Sequence, residues 1–93
     1  MIYKVKYTLR GQDIETTKLL RTEVLEEAVE QFGDLTRSFN KDTYYYMHLQ
    51  EYKLVFGKEV FVRTVKSDYG TYINELAKHN RNRTSFINYN IKL

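Results

Sequence analysis

TEVLEEAVEQF, residues 22–32, decides how the rest of the chain is read. Leu25, Ala28, Val29 and Phe32 recur at i, i+3, i+4 and i+7, which places them on one face of an α-helix. Thr22 stands just before the run, where a hydroxyl can accept an otherwise unpaired backbone N–H. Glu23, Glu26 and Glu27 crowd the first turns, where the positive end of the helix dipole favours carboxylates. Gly33 follows Phe32 and predicts a stop or kink, because glycine tolerates the left-handed cap conformation. Leu35 and Phe39 nearly keep the period; a helix continuing through Gly33 would lose about 1 kcal/mol there. Five acids and no base lie between Glu23 and Asp34. Such a face is normally solvated, and it also forms an acidic ridge, Glu23, Glu27 and Glu30, that suits a basic partner.

Upstream, MIYKVKYTLR (residues 1–10) alternates strictly. Tyr3, Val5, Tyr7 and Leu9 take one face of a strand, and Lys4, Lys6, Thr8 and Arg10 take the other. Gly11-Gln12 predicts a two-residue turn with glycine first. That turn pairs Arg10 with Asp13, Thr8 with Glu15 and Lys6 with Thr17, so opposite or neutral groups meet across the hairpin. The second strand is expected over 13–21. Ile14, Thr16 and Leu20 join the buried face, and Lys18 snorkels to the edge.

Downstream, residues 36–42 are polar and predict a loop. TYYYMHLQEYKLVF (43–56) is rich in β-forming side chains and predicts a long strand that can carry a bulge. Gly57-Lys58 again puts glycine first in a tight turn, with 59–66 returning as a strand, Leu54 opposite Phe61 and Val55 opposite Val60. Both faces of this hairpin are mixed. Ser67 or Asp68 can cap a short helix reaching about His79, with Tyr69, Tyr72, Ile73 and Leu76 as its apolar stripe. A last strand is expected over 84–93. The order is ββαββ(α)β, a single α+β domain over 1–93. Its antiparallel sheet has four to five strands, with one main helix packed on one face.

Composition narrows the chemistry. Ninety-three residues, 42% hydrophobic and 15% aromatic, can bury a core without staples. There is no cysteine, which removes disulfides, thiol nucleophiles and cysteine-based zinc sites. The two histidines, His48 and His79, have no metal-ligand spacing, and no phosphate loop, nucleophile elbow or zinc signature occurs. No enzyme, metal or cofactor is therefore expected. The chain lacks an 18-residue apolar run and a signal-peptide pattern, so a cytoplasmic protein without membrane contact is expected. Abundant Tyr, Asn, Lys and Ile, with no Pro or Trp, is the bias of AT-rich coding, as in some bacteria and their phages.

Binding is the chemistry left. Tyr44 and Tyr46 share one face of the third strand and Tyr45 takes the other. With Tyr52 and Arg63 they make a candidate partner-binding patch, since tyrosine buries large area at low entropy cost and keeps a polar handle. Lys4, Lys6 and Arg10 form one basic cluster, and Arg81 and Arg83 belong to a second, C-terminal one. These could meet phosphates while nearby aromatics stack on single-stranded bases. The net charge of +3 permits nucleic acid without demanding it.

The first third, IYKVKYTLRG followed by TTKLLRTEVLEEAVEQF, resembles small phage and mobile-element proteins that open with a hairpin and a Leu-Glu-Glu-Ala helix. Some anti-CRISPR proteins share this β-hairpin–helix–sheet plan. The resemblance implies a non-enzymatic inhibitor that occludes a surface on a host protein or ribonucleoprotein complex. Direct DNA or RNA binding is the alternative. Self-association through an edge strand such as 84–93, giving a homodimer or larger assembly, is a third reading.

Overall fold

A computed structural model describes residues 1–76. Its elements are β1 (Ile2–Leu9), β2 (Thr16–Leu19), α1 (Leu25–Ser38), β3 (Tyr44–Val55) and β4 (Lys58–Tyr69). The strands form one antiparallel sheet in the order β2-β1-β3-β4. The fold class expected from the hydrophobic patterning is present: a small α+β fold with α1 on one face of a four-stranded sheet. The fifth strand expected over 84–93 lies outside the described residues, as do His79, Arg81 and Arg83.

The first hairpin has the register that charge pairing predicts, with Lys6 opposite Thr17. Its turn is not the two-residue one. Gln12 N–H bonds to the Leu9 carbonyl and Gly11 takes a positive φ of 84° one residue earlier. Arg10 N–H goes to Thr43 instead of pairing with Asp13, so β1 stays with the long central strand and the connection to β2 widens. β2 is consequently short. Leu20 is buried, whereas Ile14 is 75% exposed and Thr16 lies in water.

The helix begins near the expected place. Thr22 accepts the backbone N–H of Val24 at 3.1 Å and donates to Glu27 at 2.6 Å. α1 does not stop at Gly33 but runs on to Ser38, and Phe39 N–H closes on the Leu35 carbonyl. Leu35 and Phe39 are partly buried against the core, and that burial outweighs the glycine penalty. The core lies between α1 and the sheet: Tyr3 and Val5 from β1, Tyr44, Met47 and Leu49 from β3, Ala28 and Phe32 from α1, and Leu20.

Two expectations fail at β4. The tight turn is Phe56-Gly57, not Gly57-Lys58. Both residues have positive φ (51° and 77°), the primed geometry whose twist matches the strands it joins. Val55 therefore faces Lys58, and Leu54 faces Glu59. Further along, register shifts leave Val62 and Val65 as extra residues in β4, which is why periodicity could not assign its faces. The residues expected to cap a second helix, Ser67 and Asp68, instead extend β4, opposite His48 and Met47. Only 73–76 are helical in this region, after a close crossing at Gly70.

Candidate functional site

A bulge sorts the tyrosines. Thr8 pairs with Tyr46 but Leu9 pairs with Tyr44, so Tyr45 is the extra residue. Tyr44 therefore faces the helix and Tyr46 the opposite side, which corrects the expectation that they share a face. Tyr44 is buried in the core, and its hydroxyl donates to Asp68. Burial first, and then that carboxylate, push its pKa far above the ordinary tyrosine value. Tyr45 is also buried; its hydroxyl accepts from Gly11 N–H at 3.0 Å and donates to Glu75 at 3.1 Å.

Arg63 is on the helix side too, because it pairs with Glu51. Glu51 is a charged group in the core, 6% exposed. It accepts the Tyr3 hydroxyl at 2.8 Å and Arg63 Nε at 3.1 Å. The Tyr3 bond holds its carboxyl below the usual range against the opposing effect of burial, and Arg63 adds to this. A depressed folded pKa adds stability that is complete above the ordinary value of 4.5 and is lost as pH falls through Glu51's own lower value. The stability gap between the wild type and Glu51→Gln is therefore expected to narrow in acid. Thermal unfolding of both proteins at about pH 7 and about pH 3 checks this, and a gap that stays constant contradicts it.

Among the described residues, the face of the sheet opposite α1 carries the rest. Ile2, Lys4, Lys6 and Thr8 of β1 stand beside Tyr52, Gln50, His48 and Tyr46 of β3. Phe61, Thr64, Ser67 and Tyr69 of β4 continue the rows. Tyr46 stacks on His48 with ring centroids 4.7 Å apart, and His48 meets Tyr69 edge-on at 5.9 Å. Tyr52 meets Phe61 edge-on at 5.7 Å. Tyr52 is largely covered, because the Lys4 and Lys6 ammonium groups lie 4.8 and 6.0 Å from its ring centre. Each lysine also holds an acid: Lys4 pairs with Glu59, and Lys6 lies 3.9 Å from Glu15. His48 Nδ1 is 2.6 Å from the Ser67 hydroxyl, and burial lowers the His48 pKa.

The expected patch is thus divided. Tyr46 and Tyr52 lie on the open face, while Tyr44 and Arg63 lie beneath the helix side. Arg10 leaves the basic cluster of β1: its guanidinium stacks 3.8 Å from the Tyr72 ring centre and bonds Glu75 at 3.0 Å. Glu23, just before α1, and Glu27 and Glu30 on it are all exposed. No family model, curated protein or solved structure matches this chain. The site must therefore be read from its own geometry.

Sequence reading missed the end of the second hairpin. Leu54, Phe56, Val60 and Val62 are exposed there, and Phe56 is fully so. The available signal was Phe-Gly between two β-rich runs, where a turn with glycine second would have put an aromatic ring at the tip. Among the described residues no cluster of three His, Cys, Asp or Glu side chains could hold a metal. Among them, too, no helix is long and apolar enough to cross a membrane.

Proposed function

We propose that this chain is a non-catalytic binding protein that occludes a surface of a larger host complex, and that it docks through the tip of the β3–β4 hairpin. The carrying observation is Phe56. A non-glycine aromatic residue with φ 51° is strained by about 1–2 kcal/mol, yet its ring is fully exposed and gains nothing inside the monomer. Asparagine at this position would suit the turn better. Leu54 and Val60, on opposite faces of the same hairpin end, are exposed as well. A projecting aromatic anchor fits a concave apolar pocket on another protein, where such anchors dominate binding energy. The resemblance to phage and mobile-element inhibitors supplies the kind of target: a host defence or nucleic-acid-handling complex.

Phe56→Asn separates this reading from a purely structural one. It is expected to raise thermal stability by about 0.5–1 kcal/mol while weakening partner binding about 30-fold. The check is capture from bacterial lysate with wild-type and variant baits, with and without nuclease, beside thermal melts of both. A nuclease-resistant protein band lost only with the variant supports docking through the tip. A variant that captures the same protein equally well removes the tip from the interface.

A further inference from the structure

The open face of the sheet has a chemistry that hairpin docking leaves unused. We propose that it binds single-stranded nucleic acid, with bases stacking on the rings of β3 and β4 and phosphates taken by Lys4 and Lys6. The proposal is independent of the hairpin tip.

The rings come in two groups along the same two strands. Tyr46, His48 and Tyr69 make one continuous aromatic row, and Tyr52 with Phe61 makes the other. Tyr69 and Phe61 are each at least half exposed and offer free ring surface for a base. Between the groups lie Gln50 and Thr64, whose amide and hydroxyl can meet base edges. Every base has a flat π-face, so such a row serves any sequence.

The cations are placed for a backbone running beside the rings. Lys4 and Lys6 sit over Tyr52 and are held by Glu59 and Glu15, whose side chains are 44% and 41% exposed. The lysine side chains are 21% and 30% exposed and the acids stand at the open end of each pair, so a phosphate can take the place of the solvent-facing carboxylate and keep the lysine paired. A swing of either lysine toward phosphate also uncovers Tyr52, adding stacking surface as the charge contact forms. The acids that would repel a polyanion most, Glu23, Glu26, Glu27, Glu30 and Asp34, belong to the α1 side of the sheet. Among the described residues the face itself carries Glu15 and Glu59; each is paired with a lysine, and Glu15 also accepts the Tyr46 hydroxyl.

The test is fluorescence anisotropy of the full chain with labelled oligodeoxythymidine and oligouridine of about twelve nucleotides. Binding is expected with a shallow salt dependence, a slope of log K against log salt of about −1.4, because two phosphates are neutralised. Tyr69→Ala and Phe61→Ala should each weaken it at least about fivefold, with Tyr69→Phe and Phe61→Tyr restoring it. Lys4→Gln with Lys6→Gln should flatten the salt dependence. Phe56→Asn should leave nucleic-acid binding unchanged, so this proposal and the hairpin reading can fail separately. No binding to either oligonucleotide overturns the proposal. So does binding that ignores the ring variants or has a much steeper salt slope, since either result puts the contact elsewhere. A protein captured through Tyr69 and Phe61 in the absence of oligonucleotide binding overturns it in favour of a protein partner.

Discussion

Gly70→Ala is expected to destabilise the fold by about 4 kcal/mol. A Cβ on Gly70 would lie 1.8 Å from the Tyr44 carbonyl oxygen and 2.7 Å from that of Lys41. Both are backbone atoms, so no side chain can swing aside, and the crossing must open by more than an ångström. That crossing is bonded on both sides: Gly70 N–H to the Tyr45 carbonyl at 2.9 Å and Thr71 N–H to the Lys41 carbonyl at 3.0 Å. It positions Tyr72 beneath Arg10, Glu75 on Tyr45, and Leu76 in a buried place. For a chain of this size the loss corresponds to a fall in Tm of roughly 15–30 °C. Thermal melts followed by circular dichroism check it. A variant that melts within a few degrees of the wild type would mean that the chain does not cross there.

Gly70 also marks a limit of sequence reading. Its conformation is not special; its role comes from a strand end passing over residues nearly thirty positions earlier, and local periodicity carries no trace of that. Where the determinants are local, the sequence was legible. The Leu25–Phe32 stripe predicts α1, and alternation with charge pairing predicts both β1 and the Lys6–Thr17 register. Errors arise where one residue changes the count. The bulge at Tyr45 sends Tyr44 inward and Tyr46 outward, and thereby divides a tyrosine patch that strict alternation assembles. Val62 and Val65 do the same to β4. The turn at Phe56-Gly57 was misplaced by one residue because phenylalanine is a poor left-handed residue, and turn chemistry argues against putting it there. That misfit is the observation on which the proposed docking rests, since a fold-optimised sequence would avoid it.

The two sides of the sheet show why charge segregation could be read while its purpose could not. α1 presents its acids to solvent because its other face is buried against β1 and β3. The lysines of β1 are thereby left on the side opposite α1. There they meet aromatic rings contributed by β3, more than forty residues away in the chain. Neither strand alone sets these cations beside these rings; the antiparallel pairing does.

Everything on the open face depends on the sheet being backed by α1, and Phe32→Ala tests that support. Phe32 is 4% exposed and sits with Ala28 in the core shared with Val5, Met47 and Leu49. Truncation removes the largest apolar group that α1 contributes and leaves a cavity, at an expected cost of about 3–5 kcal/mol. A fourteen-residue helix is marginal alone in water, so most of its helicity derives from this docking. Phe32→Leu keeps much of the volume and should recover more than half of the loss. Urea unfolding of the three proteins, followed by circular dichroism, gives the comparison. A loss under about 1 kcal/mol for Phe32→Ala would show that the helix is not anchored by this ring. The sheet would then have to stand without it, and the division into a helix side and an open side, on which both proposed binding surfaces rest, would fail with it.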